Sequence, residues 1–192
     1  MGSKGLTGGC AALVLAAGRG RRFGSDKRVA VLPSGKRLLE TTLARVMEVF
    51  EEVWVVVRPE DDVQALGVDS RVKVVRADQA DGGMGLSLAA GIRAMSQASA
   101  AEAAAVLLGD MPWIEVDTLE KLKALAGADR IVVPEIEGVR GHPVVFGERF
   151  WGELMELEGD QGGRRIIEGN RQSCVVVTVE DHGVIKDMDT PS

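Results

Sequence analysis

A lysine at position 27 closes a run in which Gly18, Gly20 and Gly24 are interleaved with Arg19, Arg21 and Arg22, directly after the apolar stretch Leu13-Val14-Leu15-Ala16-Ala17. Pliable backbone and positive charge at the carboxyl end of a strand give the chemistry of a phosphate site, in which N–H groups and cations meet anionic oxygens. Farther on, Val106-Leu107-Leu108-Gly109-Asp110-Met111-Pro112 releases a carboxylate from the end of a second apolar run, and the proline turns the chain away. Asp110 is thereby a hard oxygen donor suited to Mg2+, with Mn2+ an alternative, and such a cation bridges to phosphate oxygens. A single carboxylate holds it weakly. Asp187 and Asp189, one residue apart and so on one face of an extended segment, are the candidate partners.

The spacing excludes the commoner phosphate loops. The third glycine stands at 24, one place too late for G-x-G-x-x-G, and the apolar run 53–57 ends in Arg58-Pro59 where a dinucleotide site needs an acid for the ribose. Lys27 is followed by Arg28 instead of the serine or threonine of a P-loop. What remains is a long loop wrapped around a nucleoside triphosphate, with Arg19, Arg22 and Lys27 toward the phosphates and Asp26 orienting the turn. Arginine forks and a mobile lysine charge together can follow charge that moves during phosphoryl transfer. Arg21 reads as a solvated surface residue.

Asp81-Gly82-Gly83-Met84-Gly85-Leu86-Ser87 opens a helix after a third apolar run. Its glycines would let a base or ribose approach the backbone, and Ser87 would cap the helix or bond the nucleotide. Met84 and Leu88 read as core. His142, in Arg140-Gly141-His142-Pro143, could contact an acceptor or orient its loop, whereas Asp181-His182-Gly183 reads as a surface turn. With two histidines in the chain a histidine zinc site lacks ligands, and no serine–histidine or cysteine–histidine pair points to covalent catalysis.

These groups need a scaffold, and the apolar pattern supplies one. β-branched runs at 11–16, 53–57, 72–75, 104–108, 131–133, 143–146 and 174–179 alternate with helical stripes at 38–50, 84–96, 117–125 and 150–157, the pattern of βαβ units and a largely parallel sheet covered on both faces. The 192 residues fit one α/β domain spanning 1–192, with residues 1–7 and 191–192 loosely held. The net charge of −6 and the absence of tyrosine argue against nucleic acid as partner. Cys10 and Cys174 are too few for a disulfide scaffold and fit a reducing cytoplasm. No run reaches the roughly 20 apolar residues of a membrane span. The start carries no long apolar stretch, and Leu6 stands where a myristoylation signal needs serine or threonine.

Taken together in order, LAAGRGRRFGSDK, GGMGLSLAAGI (82–92), LLGDMP (107–112), GHPVVF (141–146), GDQGGRRII (159–167) and DMDTP (187–191) resemble the molybdenum cofactor nucleotidyltransferases, over nearly the whole chain. The likeness is greatest to the molybdopterin cytidylyltransferase branch. It implies a Rossmann-like three-layer α/β fold and transfer of CMP from CTP to the phosphate of molybdopterin or the molybdenum-loaded cofactor, with release of pyrophosphate. It assigns Ala16, Ala17, Gly18, Arg19, Gly20, Arg22 and Lys27 to the triphosphate, with Lys27, Asp110 and Arg19 catalytic. Gly82, Gly83, Gly85 and Ser87 would border the nucleoside. Asp110, Asp187 and Asp189 would hold the metal, the last two in the family's DIDTP element. Gly141, His142, Gly163 and Arg164 would line the acceptor side, and a molybdoenzyme or its chaperone is the implied protein partner.

Ala16-Ala17-Gly18 matches the cytidylyltransferase form of the loop, since guanylyltransferases of the group usually carry glycine before its last glycine. Arg28-Val29-Ala30 departs from the leucines that commonly follow the lysine, and Phe23 replaces a frequent methionine. Two readings stand beside this one. The first is a same-fold transferase acting with another nucleotide or on a sugar phosphate or other phosphorylated acceptor. The second is a non-catalytic nucleotide- or cofactor-binding protein, against which the retained Lys27, Asp110, Asp187 and Asp189 argue.

Overall fold

The structure, a computed structural model, describes residues 9–19 and 24–188. Its strands are β1 (Cys10–Leu15), β2 (Val53–Val57), β3 (Lys73–Arg76), β4 (Ala103–Leu108), β5 (Ile131–Ile136), β6 (Val139–Arg140), β7 (Val144–Gly147) and β8 (Cys174–Thr178). Between them lie α1 (Leu38–Met47), α2 (Met84–Ala98), α3 (Val116–Leu125), α4 (Trp151–Met155) and α5 (Arg164–Gly169). One sheet runs in the order β3-β2-β1-β4-β7-β5-β6, with β8 pairing β5. β1 to β4 are mutually parallel and β5 is parallel to β8, while β7 and β6 run antiparallel to their neighbours. The expected α/β fold, a mostly parallel sheet with helices on both faces, is therefore present.

β1 shows why both faces are covered. Side chains of a strand alternate, and Ala12, Val14 and Ala16 enter one core with Leu39 and Leu43 of α1 and Leu119 and Leu122 of α3. Ala11, Leu13, Leu15 and Ala17 enter the other with Leu88, Ile92 and Met95 of α2, Trp151 of α4 and Ile166 of α5. A strand buried on both sides must be apolar at every position, hence the unbroken run. β1 lies between β2 and β4, so the carboxyl ends of β1 and β4, with the loops that follow them, are neighbours. Gly109 N donates to Leu15 O at 2.9 Å.

The sequence pattern ends the fifth strand at 133, whereas β5 continues to Ile136 and turns through Glu137-Gly138 into β6. Both turn residues have positive φ, the geometry of a tight hairpin. Pro134 hides this strand from pattern reading. It is tolerated because it stands between the β7 pairings at Ile131 and Val132 and the β6 pairings at Glu135 and Ile136. The short α5 is likewise an element the turn chemistry of 159–163 conceals. No helix among the described residues is long and apolar enough to cross a membrane. The expectations for residues 1–7 and 191–192 and for Arg21 fall outside the described residues.

Candidate active site

The loop after β1 is gripped from behind. Arg58, at the end of β2, donates to the carbonyls of Ala17 (3.2 Å) and Gly18, and Arg28 donates to Ala16 O at 2.8 Å. With its carbonyls drawn to these guanidinium groups, the loop keeps the Ala17 and Gly18 N–H groups without a hydrogen bond to other described residues, so they are available to an anion. Arg28 is itself fixed by Asp26 (2.7 Å) and Asp61 (2.6 Å), and Asp26 also caps the turn Lys27–Val29 by accepting from Arg28 N at 3.1 Å. Asp26 thus orients the loop as its sequence position suggests. Arg58, first noted only because it is not an acid, and Arg28, first noted as a departure, prove to hold the carbonyls of the loop after β1. The available signal was a basic residue at the carboxyl end of a parallel strand.

This network makes an acid-side prediction. Hydrogen bonds from Arg28 hold Asp26 below the usual carboxylate range. Burial pushes Asp61 up, but Arg28 and the Arg58 N–H outweigh it and the net shift is also downward. The unfolded chain, with carboxylates near about 3.9, then takes up protons before the folded one, so stability is present above that pH and is lost as pH falls through the folded values. The gap in unfolding free energy between wild type and Arg28→Ala should accordingly shrink below about pH 4. Denaturant melts from pH 7 to 3 showing a constant gap would refute the coupling.

Lys27 and Asp110, far apart in sequence, meet at the carboxyl edge of the sheet. Lys27 Nζ lies 2.5 Å from Asp110 Oδ2 and 3.5 Å from the Met188 carbonyl, while Met188 N donates to Asp110 O at 3.2 Å. Asp110 is 8% exposed, and its Oδ1 is buried with no hydrogen-bond partner among the described residues. A lone buried carboxylate oxygen is costly unless a cation reaches it. This hard donor, in a cavity also bordered by Asp81 and Asp160, fits a divalent cation. No three acidic, histidine or cysteine side chains are gathered as a ready-made metal cluster among the described residues. Asp187 is exposed, and Asp189 lies outside the described residues.

The cavity has a volume of about 450 Å³ and is lined by Ala16, Ala17, Gly18, Arg19, Lys27, Gly83, Ser87 and Asp110 among others. Gly82 and Gly85 do not line it. Gly20 and Arg22 are outside the described residues. Arg19 bridges the two rims, pairing with Glu60 at 2.9 Å and with Asp81. Packing within the chain also requires Gly83 and Gly85: a Cβ on Gly83 would lie 2.5 Å from Asp160 Oδ1, and one on Gly85 2.5 Å from Gln161 O. What approaches the backbone is the chain's own 159–161 turn. Ser87, in the interior of α2, does not cap it, since the N-cap is Gly83.

A second cavity of about 650 Å³ adjoins the first, sharing Leu15, Met84 and Leu108. Gly141, His142, Gly163 and Arg164 all line it, with Val133, Val144, Phe146 and Arg140. Met84, expected in the core, is 43% exposed and stands between the two cavities. Burial pushes the His142 imidazole below its ordinary value against the pull of Asp110. Arg140 and Arg164 also line this cavity and bring positive charge to it. Gly163 has no room for a side chain, because its Cβ would meet the Phe146 ring. Asp181-His182-Gly183 is not a surface turn: His182 is exposed, but Asp181 and Gly183 are buried.

Comparison with known proteins supplies the kinship. Residues 12–175 match the MobA-like NTP transferase domain. The chain is 30% identical over 189 residues to the purine catabolism protein PucB of Bacillus subtilis, covering 92% of this chain and 90% of that one. It is 28% identical to the probable molybdenum cofactor guanylyltransferase of Methanosarcina acetivorans, covering 89% of this chain and 74% of that one. A 64-residue stretch, 33% of this chain and 29% of the other, is 45% identical to the 2-C-methyl-D-erythritol 4-phosphate cytidylyltransferase of Aquifex aeolicus. Among solved structures, the rv0371c homologue from Mycobacterium sp. strain JC1 superposes with a TM-score of 0.81 at 30% identity, over 94% of this chain and 90% of that one. The manganese complex of Rv0371C from Mycobacterium tuberculosis gives 0.75 at 24% identity, over 89% and 88%. Fold and sequence agree that this chain belongs to the MobA-like NTP transferase family and is a nucleotidyltransferase.

Proposed function

We propose that the protein transfers CMP from CTP to the phosphate of molybdopterin or its molybdenum-loaded form, releasing pyrophosphate, with Mg2+ or Mn2+ at Asp110. The observation that carries this reading is the pair of adjoining cavities. The polar one is lined by Lys27, Asp110 and the loop residues Ala17 and Gly18, and the apolar one is large enough for a fused ring system, with arginines at hand for a phosphate. An acceptor phosphate is already anionic near neutral pH, so no general base is required. Alignment of the two substrates and neutralisation of charge on the α-phosphoryl group and departing pyrophosphate supply the catalysis. Lys27 places its ammonium on the phosphates, and the loop N–H groups hold them. A cation bound at Asp110 contributes Lewis-acid neutralisation of the phosphate oxygens. Ala17, 2% exposed, and the stretch shared with a cytidylyltransferase support CTP as donor.

That same stretch favours one rival, a polyol or sugar phosphate acceptor. The apolar lining by Val133, Val144, Phe146 and Leu88 suits a ring system better than a polyol. Purified protein given CTP, GTP, ATP or UTP with molybdopterin and Mg2+ should release pyrophosphate with CTP and yield the CMP adduct by mass. Transfer from GTP alone would overturn the donor, and no transfer from any nucleotide would overturn the acceptor. A molybdoenzyme or its chaperone as recipient, and a cytoplasmic site of action, complete the reading.

A further inference from the structure

The chain after β8 crosses the carboxyl edge of the sheet and touches both halves of the site. Val184 O accepts from His142 N at 2.8 Å on the side of the larger cavity. Four residues later, Met188 N donates to Asp110 O at 3.2 Å and Met188 O lies 3.5 Å from Lys27 Nζ. The anchor of this segment is Asp181, 5% exposed, whose two carboxylate oxygens accept from Glu115 N and Gly183 N, each at 2.8 Å. Gly183 fits only because it lacks a side chain, since its Cβ would strike the Trp113 carbonyl and lie 2.7 Å from Ile114 N. Lys186, 4.2 Å from the Trp113 ring centre, closes over the same loop.

We propose that residues 181–188 form a strap that sets the spacing between the Lys27–Asp110 half-site and the His142 wall of the larger cavity, and that Asp181 is the positioning residue that fastens it. One oxygen of the buried Asp181 carboxylate accepts from Glu115 N, in the loop that follows Asp110, and the other accepts from Gly183 N within the strap, so the loop tie and the turn leading to Val184 and Met188 share one side chain. Without the anchor, the donor and acceptor sides lose a common reference while each keeps its own lining. Misplacement of about 1 Å between reacting groups costs up to about a hundredfold in rate.

The test uses the full chain as wild type, Asp181→Ala and Gly183→Ala, and has two arms. Hydrogen exchange asks whether the tie exists, whatever the acceptor. The His142 and Met188 amides should exchange about tenfold faster in both variants, with the Ala16 amide, bonded to Val56, unchanged. Wild-type exchange at His142 and Met188, or an equal rise throughout β1, overturns the strap. The kinetic arm rests on the transfer proposed above. Turnover should fall about tenfold or more with nucleotide KM changed less than about threefold. Unchanged turnover, or a rise in nucleotide KM alone, also overturns it. Wild-type protein that transfers nothing to molybdopterin counts against the acceptor reading, and the exchange arm then decides the strap by itself.

Discussion

Asp110→Asn is expected to lower turnover at saturating nucleotide by about 10²–10³-fold, the loss typical of removing one group that stabilises transition-state charge. The change is isosteric, so packing at the end of β4 is kept and the melting temperature should stay near that of wild type. What disappears is the charge. In the wild-type chain Oδ2 engages Lys27 at 2.5 Å, and Oδ1 is buried with no partner among the described residues. The amide lacks the anionic oxygen that a hard cation needs, and it no longer holds Lys27 electrostatically. Mn2+ affinity, followed by electron paramagnetic resonance with nucleotide present, should weaken alongside turnover. Near-normal turnover across a range of Mg2+ concentrations would defeat the role given to Asp110.

The second large effect is on stability. Arg28→Ala should cost about 3–5 kcal/mol, the range for breaking a buried ion pair by removing one partner. The Arg28 side chain is 7% exposed and makes hydrogen bonds to Asp26, Asp61 and the Ala16 carbonyl. Its loss leaves the 8%-exposed Asp61 carboxylate without its guanidinium and Ala16 O without a donor. For a chain of this size the midpoint should drop by roughly 6–20 °C. Arg28→Lys should recover only part of this, because a point charge cannot span two carboxylates and a carbonyl as a planar fork does. Thermal melts of the three proteins decide the matter, and a loss under about 2 °C in Arg28→Ala would show the network to be energetically idle.

Arg28 also shows how far sequence reading can go. Beside Lys27 it looks like a substitution of charge for leucine on an exposed turn. In the fold it is the buried link between Asp26, two residues away, and Asp61, thirty-three residues away. Nothing in the local pattern announces the second partner.

Local chemistry determined a good deal by itself. Alternation and continuity of apolar residues placed the strands through β4 and helices α1 to α4, most plainly at β1, β2 and β4, because a strand buried on both faces cannot hide its composition. Lys27 and Asp110 were legible because each follows an apolar strand at a turn, the place where a parallel sheet presents ligand-binding groups. β5 beyond Val133 and the β6 hairpin were not legible, since Pro134 and flanking charges mimic a loop. Tertiary structure alone decided that Arg58 and Arg28 hold the loop carbonyls, that Met84 stands between two cavities, that Gly83 and Gly85 yield space to the 159–161 turn, and that Asp181 is buried. Each of these depends on a partner from a distant part of the chain. A sequence reports the spacing of neighbours, whereas the burial and pairing of such residues are set by which strand ends the sheet order brings together.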